Sequence, residues 1–147
     1  MFQFVFKPDS NIALLRRCFM SVDKNMNVLI VDDYKTMLRI IGNLLKQLGF
    51  TNVDEATDGS MALNMFKEKK YGLVISDWNM EPMSGLDLLK GVRSLPANNN
   101  VPFIMVTAES KTENVIIAKQ AGVSNYIVKP FNADTLKAKM SSVLGEF

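Results

Sequence analysis

Apolar residues recur along this chain in short blocks, and each block is followed by a longer amphipathic stretch. Val28-Leu29-Ile30-Val31 is a run of β-branched and aliphatic residues closed by Asp32-Asp33, which reads as a buried strand. Beyond it Met37, Leu38, Ile40, Ile41, Leu44, Leu45 and Leu48 recur at helical spacing. They predict a helix from Lys35 to Leu48, with Gly49 placed to end it. The alternation continues with a strand over Asn52 to Ala56 and a helix over Ser60 to Lys70, opened by Asp58-Gly59 with Ala62, Leu63 and Phe66 inward. Next come a strand at Leu73 to Ile75, which runs into Asp77, and a helix over Gly85 to Leu95. After the polar turn from Pro96 to Asn100, a strand over Val101 to Val106 ends at Thr107. A helix over Lys111 to Ala121 is closed by Gly122, a strand over Asn125 to Val128 ends at Lys129-Pro130, and Asn132 to Leu144 is the last helix. Five strands alternating with five helices imply an α/β domain, a parallel sheet covered on both faces by right-handed crossovers.

The first 25 or so residues do not share this rhythm. Met1 to Phe6 alternates like a strand, Lys7-Pro8-Asp9-Ser10 breaks it, and Asn11 to Met20 suits a short helix. The segment makes a poor secretory signal, because Arg16-Arg17 comes late and no charge comes first. It reads as an appendage to a single domain over residues 26–147, with Met20 and Met26 as possible alternative starts.

Composition narrows the function. The chain of 147 residues suits one core, and 48% hydrophobic with 22% charged residues is ordinary for a soluble protein. A net charge of +2 with no long basic run gives no reason to expect nucleic acid. No apolar run reaches the length of a membrane span. The single Cys18 excludes an internal disulfide and fits a reducing, cytoplasmic compartment. With no histidine, His-ligated zinc, His general bases and a phosphohistidine on this chain are all excluded.

Polar residues stand where apolar strands stop: Asp32-Asp33, Asp77, Thr107 and Lys129. Each has an ordinary reading. One of Asp32 and Asp33 suits a helix cap, Asp77 a loop or cap, Thr107 a strand former and Lys129 a solvated surface residue. In a parallel sheet, however, all these ends lie on one edge, where such folds bind ligands. Clustered carboxylates repel unless a cation neutralises them, and hard oxygen ligands suit Mg²⁺ together with phosphate oxygens. A hydroxyl and an ammonium beside them can hold a second anionic group. The set fits phosphoryl transfer, with Asp77 as nucleophile forming an acyl phosphate.

These stretches resemble the response-regulator receiver domain, in particular the stand-alone chemotaxis kind. The likeness rests on Val28-Leu29-Ile30-Val31-Asp32-Asp33, Asp77-Trp78-Asn79-Met80, Met83 to Lys90, Met105 to Glu109 and Tyr126 to Phe131. It implies a flavodoxin-like fold with strand order 2-1-3-4-5. It implies Asp77 as phosphoacceptor; Asp33, Asp77 and the main-chain carbonyl of Asn79 as Mg²⁺ ligands; and Asp32 holding Mg²⁺ through water. Thr107 and Lys129 become phosphate contacts, and Tyr126 an aromatic switch that turns inward as Thr107 moves. The Lys129-Pro130 peptide is typically cis in the family. The chain departs from the family at Glu81, where a proline is usual; here Pro82 follows.

The expected protein is therefore not an enzyme beyond self-phosphorylation and autodephosphorylation. It is a monomer that takes a phosphoryl group from a histidine kinase and acts on a protein partner, as a chemotaxis receiver would on the flagellar motor switch. A receiver in a cell-cycle or stress relay shares the chemistry. An Asp-nucleophile phosphatase of the haloacid dehalogenase type needs a second Asp two residues after the first, where this chain has Asn79.

Overall fold

A computed structural model describes residues 22–108 and 112–147. Among these, β1 Val28–Val31, β2 Val53–Ala56, β3 Leu73–Asp77, β4 Phe103–Thr107 and β5 Asn125–Val128 form one parallel sheet in the order β2-β1-β3-β4-β5. The helices between and after them are α1 Lys35–Gln47, α2 Gly59–Glu68, α3 Gly85–Arg93, α4 Thr112–Gln120 and α5 Ala133–Leu144. The doubly wound α/β fold and its strand order are as expected. Phe2, Phe4, Phe6, Cys18, Glu109 and Lys111 lie outside the described residues.

Alternate side chains of a strand point to opposite faces, so the apolar blocks feed two cores. Leu29, Val31, Val74, Phe103 and Met105 pack beneath α2 and α3 on Phe66, Leu88 and Val92. Val28, Ile30, Ile75, Ile104 and Ile127 pack beneath α1 and α5 on Leu38, Ile41, Leu45 and Leu136. Burial on both faces explains why β1 reads as an unbroken apolar run and not an alternating one.

Element ends differ from expectation where side chains intervene. The β3 strand continues through Ser76 and Asp77, because both pair with β4 and are buried. Pro102, which has no N–H to give the ladder, precedes β4, which begins at Phe103. Helix α2 stops at Glu68 as Lys69 turns to extended backbone and pairs with Asp54 at 2.8 Å. Helix α3 stops at Arg93, where the Ser94 hydroxyl donates back to the Lys90 and Gly91 carbonyls. Asp58, Ser84 and Asn132 cap α2, α3 and α5 by accepting main-chain N–H bonds. Tyr34 opens α1 without any side-chain cap, so neither Asp32 nor Asp33 is used as one.

Side chains also tie distant elements together. Arg93 donates from Nε and Nη2 to the Gly122 carbonyl, at 3.0 and 2.8 Å, and from Nη1 to the carbonyls of Val101 and Asn99. At the other side, Phe147 meets Phe50 edge-on at 5.3 Å, with the Lys24 and Lys137 ammoniums each 5.6 Å from its ring centre. Val22 and Met26 pack against the core under α1 and α5, and Asn52 donates to the Asn25 carbonyl at 2.6 Å. Among the described residues no helix is long and apolar enough to cross a membrane.

Candidate functional site

The parallel sheet brings the carboxyl ends of β1, β3, β4 and β5 to one edge, and the polar residues meet there. One carboxylate oxygen each from Asp32, Asp33 and Asp77 lies within 4.8 Å of the others. Asp32 is 1% exposed and Asp77 6%, whereas Asp33 opens to solvent. Lys129 reaches in from the end of β5, its ammonium 3.1 Å from Asp77 Oδ1 and 3.6 Å from Asp32 Oδ2. It is thus drawn onto the acids and is not a free surface lysine. Thr107 ends β4, buried, and its carbonyl accepts the Lys129 N–H at 2.8 Å, which fixes the two strand ends to each other. Asn79 is exposed in the loop after β3, sharing with Asp33, Trp78, Glu81 and Ser84 a groove of about 420 Å³.

Tyr126 stands apart from the acids, two residues before the end of β5 and paired in register with Met105. Its ring is half-buried against the core under α2 and α3, with the Lys139 ammonium 5.1 Å from its centre. The Glu81-Pro82 and Lys129-Pro130 peptides are both cis.

Two supports of the site carry little sequence signal. The Tyr34 N–H donates to Asp32 Oδ1 at 2.9 Å and orients that carboxylate. Gly85 packs so closely that a Cβ there would run into the Asp77 carbonyl oxygen and crowd Met105 Sδ, while its N–H donates to the Trp78 carbonyl at 2.9 Å. The fixed distance from Asp77 to Gly85 hints at the second; nothing hints at the first.

Burial raises the Asp77 carboxyl above the ordinary carboxylate range, against the pull of Lys129, with Asp33 adding to the rise. Burial also raises Asp32, opposed first by the Tyr34 N–H and reinforced by the charge of Asp77. Asp32 Oδ2 is buried with no hydrogen-bond partner. A buried carboxylate oxygen that makes no hydrogen bond, set among other hard oxygen donors, is what a divalent cation with its waters would satisfy, so the residues fit Mg²⁺.

A family model described as "Response regulator receiver domain" matches residues 28–141. The chain belongs to the response-regulator receiver family. As a receiver it is 52% identical over 122 residues to chemotaxis protein CheY-3 of Vibrio cholerae, covering 83% of this chain and 94% of that one. It is 50% identical over 118 residues to chemotaxis protein CheY of Pseudomonas aeruginosa, with 80% and 95% covered. Among solved structures it resembles the receiver CheY4 of Vibrio cholerae, with a TM-score of 0.77, 32% identity and coverage of 82% of this chain and 99% of that one. The family makes this chain a phosphorelay response regulator, a signalling protein and not a classical enzyme, which takes its phosphoryl group from a kinase and acts on a downstream target.

Proposed function

We propose that Asp77 is the phosphoacceptor, that Mg²⁺ serves the transfer, and that the protein acts in the cytoplasm as a monomeric chemotaxis receiver whose target is the flagellar motor switch. The observation that carries the chemistry is the cluster of Asp32, Asp33 and Asp77 with Lys129 bridging two of its acids. The chemotaxis reading is supported by the names of relatives that the chain matches over almost their whole length.

Asp33, Asp77 and the Asn79 carbonyl would hold the metal, with Asp32 acting through water. Bound there, Mg²⁺ neutralises the acids and the incoming phosphoryl oxygens. An Asp77 carboxylate oxygen attacks phosphorus in line, the phosphorus–nitrogen bond of the donor's phosphohistidine breaks, and the imidazole leaves with the electron pair. An acyl phosphate remains on Asp77. Lys129, already beside Asp77, shifts its charge to the new phosphoryl group, and the Thr107 hydroxyl donates to it. Movement of Thr107 opens room for the Tyr126 ring to turn inward, altering the face made by α4, β5 and α5. Phosphate biases this switch only through its different contacts in the two states, and a partner that prefers the inward ring favours phosphorylation in return.

With Mg²⁺ and phosphoramidate, intact-mass spectra should show one added phosphoryl group in the wild type and none in Asp77→Asn; normal labelling of the variant would remove the chemical reading. Binding of a motor-switch peptide should rise on phosphorylation and lose that rise in Tyr126→Ala. Affinity unchanged by phosphate would leave a receiver of another relay.

A further inference from the structure

Sharing no residue with the acid cluster, a trough of about 660 Å³ runs between α1 and the outer edge of β2. Lys35, Arg39 and Lys46 line it from α1, and all are exposed. Among the described residues none of the three makes an ion pair. Val53, Glu55 and Thr57 line it from the sheet side.

Among the described residues the backbone of that edge is available. Val28 N–H donates to the Asn52 carbonyl and Asp32 N–H to the Ala56 carbonyl, so residues 52, 54 and 56 turn their polar groups toward β1. By alternation, the N–H and C=O groups of Val53 and Glu55 point away from the sheet. β2 is the last strand in the order, and among the described residues no strand lies beyond it. An unpaired edge of this kind is a template for an added strand.

Gly42 adds a second indication. A glycine inside a helix costs about 0.5–1 kcal/mol relative to alanine. Packing does not demand it here, since a Cβ would meet Glu55 Oε2 at 3.8 Å and Ile30 Cδ1 at 3.9 Å, ordinary contacts. What a larger side chain at this position would do is fill the trough that Gly42 lines.

We infer that the β2 edge and the basic flank of α1 form a docking site for an extended acidic peptide of a partner protein, which adds to the sheet as a further strand. Spacing gives it a pattern. The midpoint of Lys35 and Arg39 lies about 13 Å from Lys46 along the axis, at ~1.5 Å per residue. In a strand, two side chains on one face four residues apart are separated by about the same ~13 Å. Carboxylates at the first and fifth positions therefore meet the cations at the two ends. Glu55, which faces Gly42 between them, requires an uncharged residue at the third. Residues 1–21 carry Lys7, Arg16 and Arg17 against Asp9 alone, the wrong charge for this trough.

The test uses the full chain and fluorescein-labelled decapeptides of alternating valine and threonine, with glutamates in place of two threonines four residues apart and threonine midway between them. Anisotropy should show this peptide binding at least tenfold more tightly than one with lysines at those two positions. Replacing the central residue and the one after it by proline, which removes a strand N–H turned to β2 whichever way the added strand runs, should weaken it by a similar factor. Gly42→Leu should abolish binding without lowering the melting temperature, because leucine is the better helix former. Arg39→Glu should weaken binding tenfold or more. The proposal is overturned if the proline peptide binds equally well, if Gly42→Leu leaves binding unchanged, or if inorganic tripolyphosphate binds with the same dependence on Gly42. Peptide binding seen only after removal of residues 1–21 would assign the edge to this chain itself and would also overturn it.

Discussion

Asp32 and Asp77 are buried carboxylates whose surroundings resist their ionisation. A group with a raised folded-state pKa lends stability that is complete below its unfolded pKa and disappears as pH rises through the folded one. At neutral pH the metal-free protein therefore holds its acid site at a cost. Asp77→Asn should raise the metal-free melting temperature at pH 7 by about 3–6 °C, the scale of ~1 kcal/mol in a domain of this size. The gain should shrink toward pH 4 and on adding Mg²⁺ to both proteins; an equal gain at both pH values would contradict this account. A second expectation concerns Gly85. Gly85→Ala should cost about 1–3 kcal/mol by forcing the backbone off the Asp77 carbonyl, and should slow labelling of Asp77, as read by urea unfolding and intact mass. The site was legible at Asp32, Asp33, Asp77, Thr107 and Lys129 because an apolar run that stops at a polar residue marks a strand end. The Tyr34 amide on Asp32 was not, since it depends on the path of a loop and on an atom every residue type carries.

Helix α4 differs from its neighbours. Ala118 is its one described residue counted in the core, and Ile116 and Ile117 are 49% and 41% exposed. Ile116→Glu and Ile117→Glu should leave the melting temperature and Asp77 labelling nearly unchanged, within the ~0.5 kcal/mol of ordinary surface substitutions. They should also abolish phosphorylation-dependent binding of the motor-switch peptide; retained binding would place the output elsewhere. The existence of α4 was readable from its length and from Gly122. Its buried face was not, because Val115, Ile116 and Ile117 are consecutive and point around the helix. Element ends were misread for a related reason. Ser76 and Asp77 look like turn residues, yet pairing with Met105 and Val106 holds them in the sheet.

Across the whole molecule, the segment from Val22 to Asn25 is joined to distant parts through Asn52 and Phe147. A chain beginning at Val22 should melt with the full chain. One beginning at Met26 should melt a few degrees lower, since it loses the Asn25 acceptor and the Val22 packing. Equal melting of all three would show that these contacts contribute nothing. The Arg93 contact with Gly122 reaches further. It pins the chain just past the last turn of α4. On the proposed switch, movement at Thr107 would swing the helix as a lever about a fulcrum at Gly122, with an arm of about 13 Å at ~1.5 Å per residue. Ile116, near mid-arm, would travel about half as far as the first turn and would tilt rather than slide. Arg93→Met frees the fulcrum. Asp77 should still be labelled, but the affinity gain on phosphorylation should fall, because a helix freed at Gly122 transmits displacement without direction.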